Sequence, residues 1–338
     1  MMRAVLVTGG GGFLGTAIIK ALRQTWPDLE IRSFSRQLYP HLQTWSVKSW
    51  QGDLSQAESL RAATLGVDAV IHTAAKAGVW GRDETYEQTN VQGTREVIEA
   101  CLSLGVRYLI YTSSPSVTFS GRDQCNENED APYPQHFLNA YSRTKAEAEK
   151  MILEHHSKNL HTLALRPHLL WGPGDPHLVQ RIIDRARKGK LRLIQRGRPC
   201  LVDATYIDNA AAAHISALQA LVDQPRQAGG KAYFIANDEP QDLNALIRDI
   251  AEACRVPLPT KYVSPQLAWL LGSSLEFLYK VLGLRREPVL TRFVAKQLST
   301  DHWFNLSQAK ALLHYRPLVS TREGLERLRD SHKLQLYS

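Results

Sequence analysis

Ala4-Val5-Leu6-Val7-Thr8-Gly9-Gly10-Gly11-Gly12-Phe13-Leu14-Gly15 stands almost at the start of the chain. The four apolar residues are too few for a signal peptide and read as a buried parallel strand, with a helix following over 13–25. Glycines between the two allow a tight turn. They also let backbone N–H groups approach a pyrophosphate at the helix N-terminus, where the dipole favours an anion. Four glycines in a row read by themselves as a flexible turn. A strand before and an amphipathic helix after make a dinucleotide cradle the better reading, built from Gly9, Gly12, Phe13, Leu14 and Gly15.

Working outward, the spacing predicts strands at 30–35, 46–51, 67–72, 107–112 and 160–166. Helices are expected at 56–64, 84–104 and 140–156. The helix over 84–104 places Val91, Thr94, Val97, Ile98, Cys101 and Leu102 on one face. Strict β-α alternation with short connections means a parallel sheet covered on both faces. The expected fold is therefore α/β: a Rossmann-type doubly wound parallel sheet with a smaller C-terminal substrate lobe. After 166 the regularity breaks at Pro167, Gly172, Pro173, Gly174 and Pro176. Residues 1–166 are expected to bind the dinucleotide and 167–338 to bind substrate, with segments of the second part returning to the sheet.

The chain has 338 residues and a formal charge of +8. Residues 1–180 carry 17 basic and 18 acidic groups, whereas 181–338 carry 24 and 15, so the surplus belongs to the second half. Nucleic acid is excluded as a partner, since no zinc finger, helix-turn-helix pattern or basic-aromatic interleaving accompanies the charge. Cys101, Cys125, Cys200 and Cys254 lie far apart, without a C-x-x-C or a His cluster. They read as reduced thiols of a cytoplasmic protein, with no metal site.

Tyr141-Ser142-Arg143-Thr144-Lys145 sets a phenol and an ammonium four residues apart on one helix face. A phenol is a poor base at neutral pH, but a neighbouring ammonium favours phenolate. Tyr141 can then take or give a hydroxyl proton while a nicotinamide exchanges hydride, and Lys145 can hold the nicotinamide ribose. Taken without the glycine loop, the pair would read as a solvated i,i+4 contact.

The T-G-x-x-G-x-x-G spacing resembles the extended short-chain dehydrogenase/reductase family, and the resemblance runs through almost the whole chain. In that family the residue ending the second strand chooses the cofactor. Ser35-Arg36 lacks the carboxylate that would bind an NAD ribose and offers a guanidinium for a 2′-phosphate, so NADP(H) is expected over NAD(H). The alternative for Arg36 is an ordinary solvated charge. The resemblance implies adenine contacts for Asp53 and Leu54, and cofactor packing for Thr73, Ala74, Ala75 and Pro167. It implies that Ser114 orients the substrate oxygen, with Ser113 as the competing choice, and that Asn90 holds a relay water, with a backbone-bonding Asn as its alternative.

A narrower likeness rests on Ala75-Lys76-Ala77-Gly78-Val79-Trp80-Gly81, Ser113 to Thr118, Leu165 to Asp175 and Thr205 to Ala210. These stretches look like the 3β-hydroxysteroid dehydrogenases, including decarboxylating sterol-4-carboxylate 3-dehydrogenases, and like the bacterial 2-alkyl-3-oxoalkanoate reductases. Both groups imply an alcohol or ketone one carbon from a carbon bearing a carboxylate, in a greasy molecule. A β-keto acid formed by oxidation could lose CO2 with the ketone accepting the electrons. The expected substrate is thus a hydrophobic acid. A nucleotide-sugar epimerase or dehydratase and a non-catalytic NADP sensor are the rival classes.

Residues 181–198 hold eight basic groups against Asp184. They read as a cationic margin for a carboxylate or headgroup, or as a solvated helix face. The apolar stretch 265–284, followed by Arg285-Arg286, is interrupted by Glu276 and Lys280 and does not read as a membrane span. A pocket-lining helix, a buried core helix and a peripheral contact of 265–286 with the inner face of a membrane are the readings it allows. A homodimer is a further expectation.

Overall fold

The computed structural model describes residues 2–284 and 286–337. Arg285, half of the expected cationic end of the apolar stretch, lies outside them. The main sheet has seven parallel strands: β1 (Ala4–Thr8), β2 (Glu30–Ser35), β3 (Lys48–Gln51), β4 (Ala69–His72), β5 (Tyr108–Thr112), β6 (His161–Pro167) and β7 (Ala232–Ile235). Their spatial order is β7-β6-β5-β4-β1-β2-β3. The order reverses at β1, so the ligand crevice of this topology lies beyond the carboxyl ends of β1 and β4. β1 shows why both faces must be covered. Val5 and Val7 enter one core cluster and Leu6 the opposite one, with all three fully buried.

On the first face lie α1 (Phe13–Thr25) and α6 (Ile207–Asp223); on the other lie α2 (Ala57–Thr64), α3 (Gly93–Leu104) and α4 (Ala140–Glu154). The chain beyond 166 contributes to both parts of the molecule. Ala232–Ile235 pair in register with Ala164–Pro167, and Ala217 and Leu221 of α6 share a cluster with Ile18 and Leu22 of α1. A second cluster builds the smaller lobe around Trp171, with α5 (Leu178–Arg187) and α7 (Leu243–Ala253).

The expected helix over 84–104 is not uniform. Residues Glu87–Gln92 form a π-helical turn before α3 begins at Gly93. Thr94, Val97, Ile98 and Cys101 are buried as expected, but Leu102 is exposed. Ala100 takes the flank of the buried stripe instead.

The apolar stretch forms α8 (Pro265–Val281), which is neither a span nor a buried core helix. Only Ala268, Gly272 and Glu276, one residue per turn, are buried. They seat the helix on the start of α9 (Arg292–Gln297): a Cβ on Gly272 would lie 2.8 Å from the Thr291 carbonyl carbon. Glu276 accepts from the Arg292 backbone and side chain, both at 2.7 Å. Leu267, Trp269, Leu270, Phe277, Leu278 and Val281 face solvent. No helix among the described residues is long and apolar enough to cross a membrane.

Three of the eight basic groups at 181–198 are engaged in ion pairs with distant carboxylates. Arg196 and Arg198 both pair with Asp123 and Asp301, and Arg181 pairs with Glu287 at 2.9 Å. Part of what reads along the chain as a cationic margin is thus a set of cross-links between distant loops, while Arg187, Lys188 and Lys190 stay exposed.

Candidate active site

The cradle is tested by its backbone. Gly9 has φ +71°, and a Cβ there would lie 3.0 Å from the Ala74 backbone. One on Gly15 would sit 2.2 Å from the Gly9 carbonyl oxygen. Gly9 N–H donates to Phe34 O at 2.8 Å and Gly12 N–H to Gly9 O at 2.9 Å, which closes the turn. Gly12 caps α1 without a side chain, and the first turn holds no acid. Its leading N–H groups are therefore available to an anion. Thr73 donates to the Thr8 carbonyl at 2.7 Å and Ala74 N–H to the Thr8 hydroxyl at 3.3 Å, locking the exits of β1 and β4 together. These residues fit a dinucleotide pyrophosphate.

Around the cradle, Phe13 and Leu14 turn toward the second-lobe core, Ala75 is half-buried, and Pro167 is buried at the end of β6. The Ser35 hydroxyl accepts from Gly11 N–H at 3.4 Å. Arg36 is exposed, without an ion pair among the described residues. Asp53 is held below the usual carboxylate range by hydrogen bonds from the Ser55 backbone and hydroxyl, with a smaller pull from Arg36. The Leu54 side chain is buried against Gly93 at the start of α3.

Asn139 caps α4 by accepting from Ser142 N–H at 2.8 Å, which places Tyr141 in the first turn at the sheet's carboxyl edge. Burial pushes the Tyr141 phenol up from its ordinary value, and the Ser114 hydroxyl beside it works the other way. Ser114 is half-buried with extended backbone and accepts from Ser116 N–H at 3.2 Å. Ser113 points into the packed interior and is 4% exposed. Period-two alternation sends the two neighbouring serines opposite ways, and the seat of β5 beside α4 brings Ser114 to the phenol.

Lys145 is buried, 2.5 Å from the Thr112 carbonyl oxygen to which it donates, with its Nζ 4.0 Å from the centre of the Tyr111 ring. Burial pushes its ammonium down to about 7, against a pull upward from Glu149 one turn on. The Thr112 hydroxyl meets His214 Nε2 at 2.8 Å, while His214 Nδ1 lies 2.7 Å from the Ala210 carbonyl. A carbonyl can only accept, so Nδ1 carries the ring hydrogen and donates to it, which leaves Nε2 to accept from the Thr112 hydroxyl. This network braces the carbonyl that holds Lys145.

Asn90 sits in the π turn, 1% exposed. Its Oδ1 accepts from Lys76 N–H at 2.7 Å, and its Nδ2 donates to Lys76 O at 3.3 Å and to the Thr144 hydroxyl at 3.0 Å. Both amide hydrogens are thus committed to protein, and Asn90 ties the loop after β4 to α4. π turns of this kind are frequent at functional sites.

A family model described as the 3-beta hydroxysteroid dehydrogenase/isomerase family matches residues 6–265. The chain belongs to that family. This 3-beta hydroxysteroid dehydrogenase/isomerase member is 46% identical over 332 residues to a 2-alkyl-3-oxoalkanoate reductase of Shewanella oneidensis, covering 96% of this chain and 85% of that one. It is 34% identical to the decarboxylating sterol-4-alpha-carboxylate 3-dehydrogenase of Mus musculus, covering 95% and 88%. In fold it matches a UDP-glucuronic acid 4-epimerase from Bacillus cereus in complex with NAD, with TM-score 0.75, 22% identity and 99% and 100% coverage. The family member is a nicotinamide-dependent oxidoreductase of the short-chain dehydrogenase/reductase type.

Lys76, Tyr86 and Glu287 line the loop after β4. Tyr86 and Lys76 pack together, with Nζ 4.9 Å from the ring centre. Glu287 approaches from the chain after α8, 3.8 Å from where a Gly78 Cβ would stand. Lys76 lies within a quoted motif, but neither spacing nor periodicity shows what a loop side chain faces.

Proposed function

We propose that the protein transfers hydride reversibly between NADP(H) and C3, the carbon that bears the hydroxyl or keto oxygen, of a lipid-like β-hydroxy or β-keto acid. The observation that carries this is the Ser114 hydroxyl beside the Tyr141 phenol, with Lys145 one turn along α4 and the glycine cradle at the same sheet edge. A bound nicotinamide supplies or accepts the hydride. Tyr141 holds the proton that the substrate oxygen gains or gives up, and Ser114 orients that oxygen. Burial keeps the Tyr141 phenol loaded with its proton, which is the state that ketone reduction needs. The greater identity to the 2-alkyl-3-oxoalkanoate reductase than to the sterol enzyme supports an alkyl acid over a sterol. Turnover assays pairing NADPH and NADH, or their oxidised forms, with a 2-alkyl-3-oxo acid, a 3β-hydroxysterol and its 4-carboxy derivative test the reading. Activity on none of them would overturn it.

The NADP(H) preference is supported by Arg36, exposed beside Asp53 at the end of β2. Arg36→Ala is expected to raise the dissociation constant of NADPH by roughly 10- to 100-fold, the range of a charge-assisted bond, and that of NADH by less than about threefold. Fluorescence titration with both cofactors checks this, and equal loss would refute the preference.

The exposed face of α8 supports a peripheral contact with an anionic bilayer. It carries Trp269 and six or more large aliphatic or aromatic side chains. Its single carboxylate, Glu276, is turned inward, while Lys261, Lys280 and Arg286 are exposed around it. Such a face is expected to lie in the headgroup boundary. The protein should co-sediment with phosphatidylglycerol vesicles, and Leu270→Glu with Phe277→Glu should abolish this without loss of turnover. A homodimer burying α8, with no vesicle binding, would overturn the contact.

A further inference from the structure

The loop after β4 carries a cation that the catalytic roles above do not use. Lys76 is half-buried, and among the described residues its ammonium has neither a carboxylate nor a carbonyl partner; the group it meets is the Tyr86 ring, 4.9 Å away. An ammonium at a partly buried position is favoured by a counter-charge. Its mount is nonetheless firm. Both backbone polar groups of Lys76 are held by Asn90, and the same amide reaches Thr144 between Tyr141 and Lys145. The loop is folded back on the side chain by Gly78 and Gly81, with φ +99° and +146°. A Cβ on Gly81 would lie 3.9 Å from Nζ.

Tyr86 is the ring against which this cation rests. Its hydroxyl donates to the Trp80 carbonyl at 3.0 Å. Its own titration is pushed up to about 12, first by burial and then by Glu287 and Tyr141. Through Asn90 the backbone of Lys76 is fastened to Thr144, on the helix that carries Tyr141. The carboxylate approaching this place, Glu287, is already taken by Arg181 at 2.9 Å. A firmly mounted, unpaired cation at this position awaits an anion on the ligand.

We infer that Lys76 binds the carboxylate of the substrate and so selects β-hydroxy and β-keto acids over neutral alcohols and ketones. This deepens the proposed function and rests on it. A carboxylate one carbon from the reacting C–O, held by Lys76, presents that oxygen to Ser114 and Tyr141 in a fixed orientation.

The test uses the full-length protein, NADP, and a 2-alkyl-3-hydroxy acid compared with its methyl ester, which differ in charge at one group. The wild type should prefer the acid. Lys76→Met should raise KM for the acid roughly 10- to 100-fold and leave the ester within about twofold. Lys76→Arg should keep the preference, and NADPH affinity by fluorescence should stay unchanged in both variants. Equal losses on acid and ester, or a fall in NADPH affinity, would overturn the assignment of Lys76. If the wild type oxidises both equally, the oxidoreductase reading stands and the Lys76 inference fails. If it oxidises neither, both fail.

Discussion

Tyr141→Phe is expected to reduce turnover by about 10²- to 10⁴-fold, the usual contribution of a positioned acid or base, while NADPH binding changes by less than about twofold. The substitution removes one oxygen from a ring that is otherwise retained, so the first turn of α4 and its Asn139 cap should persist. Only the group that carries the proton is lost. Ser114 remains, but its hydroxyl then faces a ring edge and has no acid to work with. Single-turnover hydride transfer, followed by NADPH absorbance and paired with a cofactor titration, separates chemistry from binding. Residual turnover within about tenfold of the wild type would show that another group moves the proton.

The second large effect concerns stability. Arg166 and Glu149 form a bidentate pair at 2.6 and 3.0 Å, with side chains 3% and 0% exposed, that fastens α4 to β6. Tyr133 adds a hydroxyl to the same carboxylate at 2.7 Å. Arg166→Met leaves Glu149 buried with Tyr133 in place of a counter-ion and should cost about 3–5 kcal/mol. Adding Glu149→Leu should recover part of that loss, since no charge then remains buried; the Tyr133 hydroxyl, without its acceptor, limits the recovery. Urea unfolding of the wild type, both single variants and the pair measures this. Strictly additive losses would show that the two side chains stabilise α4 independently.

Much of the framework is legible along the chain because its signals are local. A strand ending in glycines, a helix opening without a side-chain cap, and a Tyr–Lys pair one turn apart each specify their geometry within a few residues. Ser113 and Ser114 show where local reading stops. They are adjacent and chemically identical, and only the position of β5 beside α4 turns one toward the phenol and the other into the core. Asn90 is similar. Its place before α3 can be read from the sequence, but the commitment of its amide to Lys76 and Thr144 joins three separate segments.

The basic run and the apolar stretch mark the same limit from the other side. Eight cations between 181 and 198 read as a free surface, yet Arg196 and Arg198 find Asp123 and Asp301, about 70 and 100 residues away. Residues 265–284 allowed three readings, and packing chose a helix that fully buries one residue per turn and leaves most of its large apolar side chains exposed. By itself the sequence determined the glycine turn between β1 and α1, the α/β alternation and the Tyr–Lys pair, since neighbouring residues suffice to build them. Tertiary structure alone decided that Ala232–Ile235 close the sheet, which serine faces Tyr141, and that Lys76 is left without a counter-ion. Those outcomes depend on strand pairing and charge neutralisation between segments far apart in the chain, and no short window contains both partners.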